Sequence, residues 1–259
     1  PIYLANHHRG FMHEWLRYQA FYLMEYWRMK HGEDMLGRVW RESKSHEDPI
    51  TAYKRIAGLS QDQFNAEVWE SACHDITWDY PLGGYLRRIV DRQSEADRQT
   101  WYTHKTRLIA ENGYYRSYPD TVTADHGTEQ NIAFTPHDYG YNAFQLSVPE
   151  GGTTVTAEFE GITGDSRYRT VGDSKAGWRF GFVGVQGSWT PVYGDMGEAT
   201  GTAPQASVSF TVPGGGLKRL WFVVSGAPTR HEPHVWDDDV SNDEEYPYRV
   251  KFVNTEVKN

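Results

Sequence analysis

Histidines and an adjacent glutamate lie close together near the start of the chain. The run HEWLR at residues 13–17 begins like the HExxH motif of zinc peptidases. In that motif two histidines one helical turn apart bind the metal, and the glutamate polarises the metal-bound water. Arg17 stands where the second histidine would be, and a guanidinium keeps its proton and cannot bind zinc. We therefore predict His13, Glu14 and His8 as catalytic candidates that converge on a metal in a different geometry. Helix capping and polar packing are the alternative.

Carboxylates are dense between residues 231 and 245, where the sequence reads HEPHVWDDDVSNDEE. Calcium takes six to eight oxygen ligands in flexible geometry, although the central glycine of an EF-hand is absent here. A solvated acidic loop is the alternative. Calcium is the first cofactor predicted, and zinc held by two histidines of this segment is the second. The predicted calcium ligands are Asp237, Asp238, Asp239, Asp243 and Glu244, and the predicted ligand-binding residues are Trp236, His231 and His234.

Aromatic side chains are abundant in the second half of the chain. On the rim of a β-sheet they could stack on sugar rings, whereas packing in a core is the alternative. The residues considered for such a platform are Trp178, Trp189, Tyr193, Trp221 and Trp236. The single cysteine, Cys73, is expected to be a small core residue, and it excludes a disulfide framework.

The first hundred residues carry the patterns of helices. Apolar residues at spacings of three and four predict one helix over residues 11–30 and a second over residues 33–42, with Trp40 facing inward. Asp48 followed by proline predicts a helix that ends at Gly58. The run SQDQ at residues 60–63 predicts a capping box at the start of the next helix. One further helix is predicted between residues 85 and 97.

Beyond about residue 101 the pattern changes to short strands with period two. Strands are predicted over residues 153–159, 178–185, 207–212, 220–224 and 248–253, separated by glycine and proline turns. The predicted fold class is α+β, an N-terminal antiparallel helical array followed by an antiparallel β-sandwich. The predicted divisions are a helical domain at 1–111, a linker at 112–136 and a β-sandwich domain at 137–259.

Charge is distributed unevenly along the chain. Residues 1–110 contain 15 Lys and Arg and 15 Asp and Glu, whereas residues 111–259 contain 11 against 20, a net charge of −9. An acidic surface of this kind repels a phosphate backbone, so we expect no nucleic-acid partner. No run of about 18 apolar residues is present, so no membrane span is expected. The chain begins at Pro1, and we expect a trimmed or partial chain.

Several long runs of the sequence resemble secreted proteins of Bacteroidota that are classed as a domain of unknown function. These runs cover residues 6–43, 47–65, 137–164 and 220–252. Fuller members resemble gluzincin-type zinc peptidases upstream of the segment at which this chain begins. The resemblance therefore implies a secreted or cell-surface protein that carries the second half of a peptidase-like helical domain and its β-sandwich.

Two functions follow from these observations. The first is a secreted protein of metal-dependent, peptidase-like hydrolase ancestry, which predicts a polar cleft around His8, His13 and Glu14. The second is a non-catalytic, calcium-stabilised module that binds an extracellular glycan or protein through exposed aromatic residues. The sequence does not decide the oligomeric state.

Overall fold

The computed structural model describes residues 6–16, 21–92, 106–120, 133–234, 237, 239 and 241–258. Within them the chain runs from helices to antiparallel strands, so the mixed helix-and-sheet class is confirmed. A single 3-10 turn, Glu14–Leu16, precedes the helices. The α-helices are α1 (Phe21–His31), α2 (Met35–Glu42), α3 (Pro49–Ala57), α4 (Gln61–Asp75) and α5 (Gly83–Asp91).

The helix ends follow the local sequence signals. Asp48 caps α3 by accepting hydrogen bonds from two backbone amides of its first turn, and Gly58 ends it at φ 71°. Ser60 and Gln63 form the predicted capping box at the start of α4. Both predictions are confirmed. Cys73 is buried on α4, as expected of a core residue.

The predicted helix over residues 11–30 is wrong at its start. Residues 6–13 form turns, only Glu14–Leu16 is helical before residue 17, and α1 begins at Phe21. The turns arise because this segment binds the backbone of another part of the chain. Amide nitrogens of His137 and Tyr141 donate to the carbonyls of His8 and His7, each at 2.8 Å.

The prediction for Trp40 is also wrong. Met35 and Val39 of α2 are buried, whereas the Trp40 side chain is 87% exposed. Residues 35 and 39 share one helix face at a spacing of four, and the next residue is turned by about 100° from that face.

The strands form two antiparallel sheets. One has the order β1-β2-β9-β4-β7 and the other β3-β8-β5-β6. The bounds are β1 (Leu108–Glu111), β2 (Tyr114–Ser117), β3 (Tyr141–Leu146), β4 (Thr154–Gly161), β5 (Gly177–Gln186), β6 (Thr190–Thr200), β7 (Gln205–Thr211), β8 (Arg219–Gly226) and β9 (Tyr248–Val253).

Side chains from both sheets meet in one hydrophobic cluster. Phe159 of the first sheet stacks on Phe180 of the second, with ring centroids 4.0 Å apart. Helix α4 packs on the other face of the second sheet through Trp69, whose indole nitrogen donates to the carbonyl of Val223. The buried apolar residues described here form three clusters: one between the two sheets, one among the helices, and one where α4 meets the second sheet.

The strand pairs bear on the predicted division into domains. Hairpin β1–β2 crosses the proposed boundary between residues 111 and 112, and β2 pairs with β9. Segment 6–16 contacts residues 137–141, which lie in the other proposed domain. The division itself stays a prediction.

Candidate functional site

A buried cluster of histidines, carboxylates and arginines lies where segment 6–16 meets residues 137–141. We call it the histidine–carboxylate cluster. Asp120, Arg169, His234, Asp243 and Glu245 contribute from elsewhere in the described chain. Its members are His8, Arg9, His13, Glu14, Asp120, His137, Arg169, His234, Asp243 and Glu245.

The N-terminal turns place His13 and Glu14 at the centre of this cluster. The amide of His13 donates to the carbonyl of Gly10 at 3.0 Å, closing the turn that precedes the 3-10 helix. His13 Nε2 then lies 3.0 Å from Oδ2 of Asp243, and its Nδ1 lies 3.5 Å from Oε2 of Glu14. Both side chains are nearly inaccessible to solvent.

His137 approaches the same carboxylate from a different segment. Its Nδ1 lies 3.8 Å from Oδ2 of Asp243, and its Nε2 lies 3.2 Å from Oδ2 of Asp120. The turn that carries His137 is tightly fixed, because Tyr139 adopts a left-handed φ of 60° and Gly140 contacts the carbonyl of His8. Non-glycine residues at positive φ are uncommon in proteins, and those that occur cluster near functional sites.

Glu14 joins two imidazoles. Nε2 of His234 lies 3.2 Å from Oε1 and 3.3 Å from Oε2 of Glu14, and the ring stacks on His13 with centroids 5.6 Å apart. The His234 side chain is 14% exposed, against 6% for Glu14 and 2% for His13. His234 is therefore the more exposed of the two histidines that contact Glu14.

Burial sets the protonation of the inner histidines. It lowers the pKa of His8 to about 3 and that of His137 to about 4, so both rings are neutral at pH 7. For Asp120, burial opposes ionisation, but the contacts from His137 and His8 outweigh it and hold the pKa below its ordinary value. The pKa of Asp243 is also lowered, because the bond from His13 and the nearby imidazoles outweigh its burial.

Arginines and a second acid hold the carboxylates in place. Arg9 NH1 lies 2.8 Å from Nε2 of His13, and its NH2 lies 3.4 Å from Oδ2 of Asp120. Arg169 donates to the backbone carbonyls of Asp120 and Asp243. Glu245 accepts hydrogen bonds from the backbone amides of Asp120 and Arg169, at 2.7 and 2.8 Å. Burial raises the pKa of the Glu245 carboxyl.

Three of the cluster's side chains can hold a metal ion. His13, His137 and Asp243 each offer one ligand atom, and the three atoms lie within 4.8 Å of one another. Two imidazoles and one carboxylate form a ligand set used by catalytic zinc and non-haem iron sites.

The three predicted catalytic candidates fall in this cluster, and their roles differ. His13 and Glu14 lie at the centre of the cluster. His8 contacts Asp120 at 3.6 Å and is not one of the three candidate metal ligands.

The residues predicted to bind calcium are separated. Asp243 points into the cluster, whereas Glu244 contacts Lys175 on the outside. Asp237 and Asp239 accept bonds from within their own loop. Asp238 and Trp236 lie outside the described residues. Calcium in this loop stays a prediction.

Of the predicted ligand-binding histidines, only His234 reaches the cluster. His231 lies 3.0 Å from Asp48, the cap of α3, and 3.0 Å from the hydroxyl of Tyr139. Of the residues considered for an aromatic platform, Tyr193 is 39% exposed and stacks on His74, and Trp236 lies outside the described residues. Trp178 and Trp221 are buried in the core, and the Trp189 ring centroid lies 5.7 and 5.9 Å from the guanidiniums of Arg87 and Arg219.

Sequence reasoning missed Asp120, His137 and both arginines of the cluster. Asp120 follows Tyr118-Pro119 in the segment assigned to a linker, and no motif marks it. His137 offered one signal, since it precedes the turn Asp138–Gly140 at the entrance to a strand. Loop residues at such positions often carry function.

Fold and site together define an α+β protein with a buried histidine–carboxylate cluster at the junction of its N-terminal segment and its sheets. The chain belongs to DUF6055, a family of unknown function whose model matches residues 1–259. No curated protein matches the chain. None of the described helices combines the length and apolar character needed to cross a membrane.

Two solved structures show weak similarity. Xylanase10C from Cellvibrio japonicus, in complex with xylopentaose, is 12% identical with a TM-score of 0.26, and the match covers 59% of this chain and 29% of that chain. A family GH115 4-O-methyl-alpha-glucuronidase with specificity for decorated arabinogalactans is 10% identical with a TM-score of 0.25, covering 81% and 27%. The chain thus spans less than a third of either, and TM-scores this low carry no functional argument.

Proposed function

We propose that this protein is a metal-dependent hydrolase whose catalytic centre is the histidine–carboxylate cluster. One observation carries the proposal. His13 and Glu14, which the sequence marks by a partial zinc-peptidase motif, meet His137 and Asp243 from distant segments in one buried site. A concentration of imidazoles and carboxylates with lowered pKa values is typical of catalytic centres.

Hydrolysis at this site requires a group that takes a proton from water and returns it to the leaving group. Glu14 is the carboxylate that lies nearest to the imidazole of His234, at 3.2 Å, whereas Asp243 lies 3.9 Å from the same nitrogen. The water oxygen bonds to the electrophilic atom and its proton passes to the Glu14 carboxylate. The Glu14 carboxyl then gives this proton to the leaving group as the bond to that group breaks. A bound divalent ion would polarise the electrophile.

His234 fixes the position of Glu14. Its Nε2 contacts both oxygens of the carboxylate, and the backbone amide of Asp237 donates to Oε1 at 3.2 Å. A carboxylate held from two sides keeps one orientation, and positioned groups of this kind contribute about 10²–10⁴-fold in proton transfer. The loop after residue 230 therefore serves the site by positioning the base.

Peptide bonds are the first substrates to test, because residues 13–17 carry a partial zinc-peptidase motif. The zinc-supplemented protein is incubated with a tryptic digest of unrelated proteins, and new termini are identified by mass spectrometry. We expect cleavage by the wild type and a loss of about 100-fold or more in Glu14→Gln.

The matched control is Glu150→Gln, which removes a charge from an exposed turn and leaves the rate unchanged. Equal cleavage by Glu14→Gln and the wild type, or no cleavage of peptide, ester or glycoside substrates by the wild type, would contradict the proposed function.

A further inference from the structure

We infer that His13, His137 and Asp243 bind one divalent metal ion of the zinc class. The inference rests on the proposed function for the role of the metal but not for its binding. His13 Nε2 and Asp243 Oδ2 are 3.0 Å apart, and His137 Nδ1 lies 3.8 Å from the same oxygen. Two ligand atoms that each lie about 2.0–2.1 Å from a tetrahedral zinc are roughly 3.3 Å apart. One of the two distances is slightly shorter than this value and the other is slightly longer.

The nitrogens that would face away from the metal support this assignment. Nε2 of His137 lies 3.2 Å from Asp120, and Nδ1 of His13 lies 3.5 Å from Glu14. Metal-binding histidines almost always donate their second ring N–H to a carboxylate or carbonyl, which fixes the tautomer and the ring orientation. His137 therefore has such an outer partner at hydrogen-bond distance, and a carboxylate lies beside the outer nitrogen of His13.

The charges of the cluster also favour a divalent cation. The cluster contains four acidic side chains against the two guanidiniums of Arg9 and Arg169, an excess of two acidic groups. Buried charge without compensation is costly. One divalent ion balances it.

The chemistry of the donor atoms selects the class of metal. Two imidazole nitrogens and one carboxylate oxygen suit zinc, iron, cobalt or nickel, whereas calcium and magnesium prefer sites made of oxygen. This site is therefore distinct from the calcium site predicted in the acidic loop, although Asp243 was assigned to that loop from the sequence.

Arg9 is the competing cation at this position. Its NH1 lies 2.8 Å from Nε2 of His13 and 3.9 Å from Oδ2 of Asp243, so a bound metal requires the guanidinium to move away. Its NH2 already lies 3.4 Å from Oδ2 of Asp120, which can receive the displaced guanidinium. Removing the charge in Arg9→Gln should therefore tighten metal binding about 10-fold or more.

The test is metal stoichiometry, which needs no substrate. The chelator-treated protein is dialysed against excess Zn²⁺ and then against metal-free buffer, and bound zinc is measured by inductively coupled plasma mass spectrometry. We expect one equivalent in the wild type and less than about a tenth of an equivalent in His137→Ala and Asp243→Asn.

Two matched variants keep the result specific. His46→Asn and Asp239→Asn change an exposed histidine and an exposed carboxylate of the acidic loop, and both should retain one equivalent. Circular dichroism identifies any variant that fails to fold, and for such a variant His13→Gln takes its place. Zinc retained by folded His137→Ala, or lost from Asp239→Asn, would overturn the inference.

The remaining outcomes separate this inference from the proposed function. No zinc in the wild type together with one equivalent in Arg9→Gln would show that Arg9 is the permanent cation of the cluster, and the inference would fall. Stoichiometric zinc without hydrolysis would leave the metal site standing and remove the proposed function. Hydrolysis that persists in chelator, with no zinc bound, would remove the metal site and the metal dependence of the proposed function, and would leave only a hydrolytic role for the cluster.

Discussion

Asp120 shows how one carboxylate can organise several histidines without belonging to any motif. Its Oδ2 lies 3.2 Å from His137, 3.6 Å from His8 and 3.4 Å from Arg9. The carboxylate orients His137 so that the other ring nitrogen faces Asp243. At the scale of single residues, it is the clearest positioning group of the site.

Replacing Asp120 with asparagine tests this positioning role. The amide keeps the size of the side chain but loses the charge that holds the His137 tautomer, so zinc affinity should fall about 10–100-fold. Competition with a zinc-binding dye measures the dissociation constant. The control Asp165→Asn alters a carboxylate that is paired with Arg167 at the surface, and it should leave the zinc affinity unchanged. An Asp120→Asn protein with the wild-type zinc affinity would contradict the positioning role of Asp120.

The buried histidines make the stability of the metal-free protein depend on pH. His8 has a pKa of about 3 when folded, below its ordinary 6.5, because it is buried. Below pH 6.5 the unfolded chain therefore binds a proton that the folded chain does not. The contribution of His8 to stability is complete above pH 6.5 and is lost as the pH falls toward 3. His137 behaves in the same way down to about 4. Each contributes a slope of about 1.4 kcal/mol per pH unit in that window.

Urea unfolding at a series of values between about pH 7 and about pH 5 measures this slope, above the ordinary pKa of the carboxyls. In His8→Gln we expect the dependence of the unfolding free energy on pH to fall by about 1.4 kcal/mol per pH unit. The control His46→Asn should keep the wild-type slope. A wild type whose stability is flat across this range would show that these imidazoles are not buried as neutral groups.

At the scale of elements, the site depends on a close fit between residues 6–10 and the turn at 137–140. A Cβ atom on Gly140 would lie 1.9 Å from the carbonyl oxygen of His8, and one on Gly10 would lie 2.3 Å from that of Asp138. The two glycines let the two backbones approach closely enough for His13 and His137 to face the same carboxylate.

Gly140→Ala should therefore destabilise the protein by about 2 kcal/mol or more and reduce bound zinc, because one backbone must shift. Gly172→Ala is the control, since a Cβ there meets nothing within 4 Å. Its stability should change by less than about 0.5 kcal/mol. Equal effects of the two substitutions on urea unfolding would argue against the fit described here.

The sequence predicts elements well where the signal is local. The caps at Asp48 and Ser60 lie where the pattern places them, because each depends on side chains within three residues. Strand β6 (residues 190–200) was missed because its glycines break the β-pattern. A Cβ on Gly197 would lie 2.3 Å from the Phe180 ring, so its sequence is fixed by a neighbouring strand.

The site was only partly predictable for the same reason. His13 and Glu14 stand together in a recognisable fragment of a motif, whereas His137 and Asp243 reach them from positions more than a hundred residues away. Asp243 was instead grouped with the acids beside it in sequence. Only the folded chain shows that Asp243 and Glu244 point to different surroundings.

At the scale of the whole molecule, α4 joins the helices to the second sheet. Trp69 is 4% exposed, and its ring lies 2.7 Å from where a Cβ on Gly181 of β5 would stand. Trp69→Ala should lower the free energy of unfolding by about 3–5 kcal/mol. Trp40→Ala, which removes an 87% exposed ring, should cost less than about 0.5 kcal/mol.

Urea unfolding followed by circular dichroism and tryptophan fluorescence measures both variants. Coincident transitions by the two signals are expected, because the helices and the sheet share this contact. A Trp69→Ala protein as stable as Trp40→Ala would contradict the packing of α4 on the sheet.

The most direct test of the account is a crystal structure of the zinc-loaded protein with data collected on both sides of the zinc absorption edge. The account predicts one anomalous peak about 2.0–2.2 Å from His13 Nε2, His137 Nδ1 and Asp243 Oδ2, with the Arg9 guanidinium turned toward Asp120. An undisplaced Arg9 with no peak beside it, or a peak confined to the loop at Asp237 and Asp239, would contradict it.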